Sequence, residues 1–231
     1  MTGTWINMGT VLAGGTLGLV VGNRLPSRAK EGAALGVGLA TVVLGTRLAL
    51  GTENVLVLML AVILGGAGGA ALRLGERLVS ATRAAERLFQ GRPLAEGFLT
   101  ASLLFCVGPM TVVGSIQDGL HGDWSLLAAK SVLDGISALT LAATLGPGVL
   151  LSLAVILVYQ GGLTLLARLW GASLAGVGPT APWLVELSAA GGAVVLLLGI
   201  DLLKLRRVSA ADFLPSLPLA AFFAWVLRFL R

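Results

Sequence analysis

The sequence is poor in charge. Only 12% of its 231 residues are Asp, Glu, Lys or Arg, about half of what a soluble domain carries. A surface that must stay in water needs more. The scarcity excludes a cytosolic enzyme, a disordered tail and a nucleic-acid binder. The formal net charge of +5 is spread too thinly to build a phosphate-binding face. Cysteine and histidine are scarcer still, with Cys106 and His121 the single representatives. One cysteine excludes an internal disulfide, and the two together supply no His/Cys metal site. There is no HExxH motif and no Ser/His/Asp set, so the chain is not read as an enzyme, and no cofactor is expected. Alternation of apolar and polar residues over ten-residue segments, the mark of a membrane β-barrel, is missing too. No basic stretch precedes the first apolar run, so the first span is expected to be retained rather than cleaved as a signal peptide.

Apolar sequence is abundant. Hydrophobic residues make up 56% of the chain, and the mean hydropathy is +0.95. The runs are continuous, as in residues 55–64. Helices satisfy their own backbone inside lipid and need about 20 residues to cross it. Spans are expected at 5–23, 32–51, 55–73, 98–119, 124–146, 148–169 and 183–203. A shorter apolar stretch, 213–227, contains Pro215 and Pro218; it is left open whether it crosses, re-enters or lies at the interface. The fold class is an all-α integral membrane protein of seven to eight transmembrane helices, with the lipid bilayer as its partner and no nucleic acid.

Eleven of the 16 Lys and Arg residues fall in three segments. The first link holds Arg24, Arg28 and Lys30. The third holds Arg73, Arg77, Arg83, Arg87 and Arg92. Lys204, Arg206 and Arg207 follow the seventh span. The link between spans four and five carries Asp118, His121 and Asp123 without a basic residue. The positive-inside rule then places the basic links in the cytoplasm and the N-terminus outside. The third link, 74–97, reads as an amphipathic cytoplasmic helix, with Leu74, Leu78, Ala81, Ala85 and Leu88 on one side.

Spans three and six resemble each other. Residues 58–72 and 151–165 are identical at nine of 15 positions. This suggests two three-helix repeats, 1–73 and 98–169, joined by 74–97 and followed by a C-terminal part, 183–231. The orientation above would invert one repeat against the other. Inverted repeats with interrupted helices recur in secondary transporters, with substrate near the midplane.

The charges that orientation leaves over lie at depth. Asp134 falls at the centre of span five, with Lys130 one turn before it and Ser131 beside it. Two readings stay open for this pair. It is a self-neutralising i,i+4 brace, or Asp134 binds a coupling Na⁺ or H⁺ with Lys130 as counter-charge. Span four carries Gly108-Pro109 near its centre, where proline frees a carbonyl one turn earlier. Thr111, Ser115, Gln117 and Asp118 follow, with hydroxyls and carbonyls suited to a hard cation. Asp118 falls near the outer face and is expected to act as a gate. Tyr159 and Gln160 lie near the centre of span six. Gly14, Gly18 and Gly22 repeat at spacing four and signal close helix packing. Glu186 and Asp201, near the ends of span seven, are read as structural, with Asp201 pairing to Lys204.

These residues carry a resemblance. The combination CVGPM, GSIQDG, KSxxDG and YQG, with an N-terminal TGTWINMGTVLAGGTLGLVVGNRLP, resembles the bacterial membrane-protein family called domain of unknown function 554. The resemblance covers nearly the whole chain. It implies a polytopic protein of the bacterial inner membrane, sometimes labelled a transporter, with no substrate attached. The leading expectation is a cation-coupled secondary transporter for a small polar solute or ion. A channel or passive pore, and a non-transporting scaffold or assembly protein, are the alternatives. The surplus of glycine faces also suggests a homodimer.

Overall fold

A computed structural model describes residues 1–80, 94–106, 108–169 and 180–229, and among these residues there is no strand. The helices are α1 (Thr2–Arg24), α2 (Ser27–Ala49), α3 (Val55–Ala71), α4 (Leu74–Ser80), α5 (Ala95–Cys106), α6 (Pro109–His121), α7 (Ser125–Leu145), α8 (Pro147–Leu169), α9 (Pro182–Leu202) and α10 (Ser216–Phe229). Six helical segments are long and apolar enough to cross a membrane, or eight if α3 with α4 and α5 with α6 each count as one bent span. The segment left open by sequence belongs with them: a short 3₁₀ turn, Ala210–Phe213, runs on into α10, and Ala210–Arg228 is long and apolar enough to cross. The amphipathic link is helical over its first turns in α4, while Ala81, Ala85 and Leu88 lie outside the described residues.

Proline and glycine set the boundaries. Pro26 forces the residue before it out of the helical region, and Leu25 is extended between α1 and α2. Asn54 accepts from the N–H groups of Leu56 and Val57 and starts α3. Arg73 takes the left-handed conformation between α3 and α4, where the chain turns by 55°. Gly108, at φ 139, separates α5 from α6, and Pro109 follows as the first residue of α6, where its missing N–H costs nothing. Gly122 and Gly146 close α6 and α7 with positive φ.

By contact the chain forms two compact units, Met1–Ala34 with Glu86–Gly178, and Leu35–Ala85 with Pro179–Arg231. A repeat in sequence and a unit of contact divide a chain differently. Here the first helix of the expected first repeat packs with helices of the expected second.

In the first unit α1 and α7 lie side by side and run parallel. Gly14, Gly18 and Gly22 face the backbone oxygens of Gly135, Leu139 and Ala143, each so closely that a methyl group would collide with the carbonyl. Three glycines at spacing four thus meet three carbonyls at spacing four, and the helices touch backbone to backbone. Helices α5, α6 and α8 run the other way. Gly15 meets Leu150 near the start of α8, while Gly161 meets Thr4 at the opposite end. Gly97 of α5 lies against Gly148 and Val149.

In the second unit α2 and α9 pack antiparallel through small residues, with Gly38 on Leu203, Gly45 on Leu196, and Gly199 on Val42. Ala61 of α3, Ala190 of α9 and Ala220 of α10 form a fully buried seam. Gly65 and Gly69 of α3 accept the backbone of Ser216 and Asp212, so α10 returns antiparallel to α3. Glu186 is buried and fully used: it accepts from the Thr52 hydroxyl (2.7 Å) and from the N–H groups of Glu53 (2.8 Å) and Asn54 (2.9 Å), capping α3. The expected pairing of Asp201 with Lys204 does not form. Lys204 turns left-handed as the helix ends, and Asp201 accepts the Val208 N–H (3.3 Å) instead.

Candidate functional site

The site grows out of one stripe on α1. Gly3, Asn7, Val11, Gly14, Gly18 and Gly22 are buried at spacings of three and four, the pattern of one helix face. Every member but Asn7 is apolar. Asn7 therefore carries its amide into the packing of α1 against α7 and α8.

Its Nδ2 group donates to Asp134 Oδ2 (3.0 Å) and to Gln160 Oε1 (2.9 Å). Lys130 Nζ donates to the same Asp134 Oδ2. Gln160 Nε2 in turn donates to the Thr4 hydroxyl (3.4 Å). Three helices are thereby tied by one carboxylate, one ammonium, two amides and a hydroxyl. All five side chains are buried: Thr4 and Asn7 completely, Gln160 at 1% exposure, Lys130 and Asp134 at 6% each. A charge this far from water is tolerable only when paired and hydrogen-bonded, and the i,i+4 spacing in α7 supplies that partner.

The cluster has a depth. Asn7 stands about 8 Å along α1 and Asp134 about 14 Å along α7, at 1.5 Å per residue. Asp134 lies at the middle of its helix, and Lys130, Asn7 and Gln160 lie toward the end where α1 begins. Beyond Asp134, toward the α1 C-terminus, the glycine seam is tight.

Two irregular backbones border the cluster. Residues Leu157–Gly161 form a π turn inside α8, which holds Tyr159 and Gln160. Such turns are frequent at functional sites. The other is the break between α5 and α6. Cys106, the last residue of α5, lies within electrostatic range of both Lys130 and Asp134, and Tyr159 lies within range of Cys106. The broken helix end thus lies within the field of the ion pair. The Thr111 hydroxyl bridges the break by donating to Phe105 O (3.1 Å).

The remaining expected residues are placed apart. Ser131 is buried, but its hydroxyl returns to Leu127 O (2.6 Å) on its own helix. Ser115 is buried, and its hydroxyl has no partner among the described residues. Gln117 is half-buried on α6. Asp118 is 4% exposed and receives the start of α1: its Oδ2 accepts the Gly3 N–H (3.0 Å) and its Oδ1 accepts the Met1 amine (3.1 Å). A carboxylate at a helix N-terminus is stabilised by the helix dipole. Outside the spans, the Ser125 side chain and N–H hold the Asp123 carboxyl below the usual carboxylate range, and His121 is exposed.

Sequence reasoning missed Thr4 and Asn7. Both lie at the edge of the first apolar run, where polar residues pass for interfacial ones. The buried stripe carried the signal, because Asn7 sits one turn after Gly3 and two turns before Gly14.

Comparisons with known proteins find relatives of the chain, one of them named as a membrane protein. The family described as "Protein of unknown function (DUF554)" matches residues 2–225. The chain is 32% identical over 225 residues to the uncharacterized protein YqgA of Escherichia coli (strain K12), covering 94% of each. It is 28% identical over 221 residues to the uncharacterized membrane protein YdfK of Bacillus subtilis (strain 168), covering 94% of this chain and 93% of that one. No solved structure matches significantly.

Proposed function

The chain belongs to the DUF554 family of proteins of unknown function, and from that premise we propose that it is a cation-coupled secondary transporter of the bacterial inner membrane, moving a small polar solute or ion. The buried Lys130–Asp134 pair, braced by Asn7 and Gln160 from two other helices, carries the proposal. Apolar residues of similar volume stabilise a buried site as well as an ion pair does, or better. Ionisable groups inside a membrane bundle mark ion and substrate pathways. The break between α5 and α6 adds support, because discontinuous helices form the binding sites of transporters.

In this reading Asp134 carries the coupling cation or proton, and Lys130 with Gln160 orients the solute. Asp118 lies toward the outer end and Asp134 nearer the middle. The opposite directions of α1 and the α5–α6 pair favour the inverted repeat. The closed seam from Gly14 to Gly22 favours alternating access over a standing pore. Reconstituted protein should accumulate its solute only under an imposed Na⁺ or H⁺ gradient. Asp134→Asn should abolish that accumulation while the protein still inserts and elutes as a folded species. Transport by Asp134→Asn at the wild-type rate would overturn the assignment.

A further inference from the structure

Resting on the transporter reading, the geometry points to a solute class: we propose that the site takes a small zwitterion, an α-amino acid or a close analogue, by exchange of ion-pair partners. The bound carboxylate replaces Asp134 on the Lys130 ammonium, and the bound ammonium replaces Lys130 on the Asp134 carboxylate.

Three observations carry this. First, the site is neutral as it stands. Lys130 and Asp134 neutralise each other, and Asn7, Gln160 and Thr4 bring no charge. A zwitterion entering such a site leaves every charge paired. A singly charged solute leaves one protein charge buried without a partner, which is severely penalised.

Second, the hydrogen-bonding capacity of the cluster is unfilled. Asn7 donates twice through Nδ2, yet its Oδ1 atom is buried without a donor among the described residues. An ammonium has three donors, and among the described residues Lys130 uses one, on Asp134. The cluster therefore offers unused donors at Lys130 and an unused acceptor on Asn7, the two ends that a zwitterion presents. Asn7 Oδ1 belongs to the amide whose Nδ2 donates to Asp134 Oδ2, so the unused acceptor stands beside the carboxylate that would hold the ammonium.

Third, the direct contact of Lys130 with Asp134 puts an ammonium where an inorganic cation would bind. A bare metal ion must displace Lys130 and then sit beside its charge, so here the Asp134 carboxylate goes to the ammonium of the solute, and the coupling ion of the transporter reading is left to another state of the cycle. An organic ammonium makes the same displacement but brings a carboxylate for Lys130 to hold.

The test is binding to the purified full chain in detergent or nanodiscs, by thermal shift and calorimetry. The probes are the proteinogenic amino acids, with propionate, ethylamine and propionamide as single-group controls. At least one small amino acid should bind, and the three controls should bind more weakly by on the order of 100-fold or more. Saturating amino acid should also slow labelling of Cys106, the chain's single cysteine, by a membrane-permeant maleimide. The double variant Lys130→Met/Asp134→Leu keeps the site neutral, so it should fold and lose amino-acid binding. A control that binds as tightly as the best amino acid, or binding that survives in the double variant, would overturn the zwitterion class. So would the failure of every amino acid to bind. Coupled transport of some other solute would then leave the transporter reading standing, and the absence of any coupled transport would remove both.

Discussion

At the residue scale the protein is governed by a few polar side chains that cannot reach water. Asp134 accepts from Lys130 and from Asn7; without it the buried Lys130 charge would lose its partner and Asn7 one of its two acceptors. Removing one member therefore costs more than the bond it made. Asp134→Asn leaves the Lys130 charge unpaired and should lower unfolding free energy by about 3–5 kcal/mol. Replacing both charges, as in Lys130→Met/Asp134→Leu, should recover most of that loss. Thermal or denaturant unfolding in one detergent would check both, and a double variant less stable than the single one would refute the account. The pair itself was legible from sequence, because i,i+4 spacing puts Lys130 and Asp134 on one face whatever surrounds them. Gln160 was legible as a central amide. Asn7 was not, because its importance depends on which helix its face meets.

At the scale of elements, glycine decides how closely the helices approach. Lipid tails are as apolar as leucine, so helices in a membrane associate through packing rather than hydrophobic burial. The α1–α7 pair follows that rule, with a methyl at Gly18 directed into Leu139 O. Gly9 on the same helix is exposed and meets nothing within 4 Å. Gly18→Ala should therefore destabilise by about 1–3 kcal/mol. Gly9→Ala should be neutral or slightly stabilising, since alanine is the better helix former. Melting curves of the two variants, measured side by side, would decide this; equal effects at the two positions would refute the account by close approach. The repeated glycines were visible in the sequence, and so was their meaning as a packing face. Their partner was not. Nothing local says that α1, at the start of the chain, packs along α7 rather than along α2, its neighbour in sequence.

At the scale of the whole molecule, the direction of each helix is consistent with a chain that crosses the membrane at every span. Within the first unit α1 and α7 run parallel, and α5, α6 and α8 oppose them. Within the second, α3 and α9 run one way and α2 and α10 the other. Those relations suit eight crossings, counting the bent pairs as one span each. Combined with the positive-inside distribution, eight crossings would put both chain ends outside. A C-terminal alkaline phosphatase fusion should accordingly be active in the periplasm, and a C-terminal green fluorescent protein fusion dark. The reverse pattern would refute the orientation.

The sequence by itself determined that the chain lies in a membrane, where its helices run, and which links are basic. It could do so because transfer into hydrocarbon is decided residue by residue, and a run of about 20 apolar residues has few alternatives. The tertiary structure alone decided which groups meet at depth. Asn7 and Gln160 are 153 positions apart, and their bond exists because two helix faces adjoin, a matter of packing that no local pattern records. Some of the charge in which the sequence is so poor is thus kept at depth, where three helices converge on Asp134.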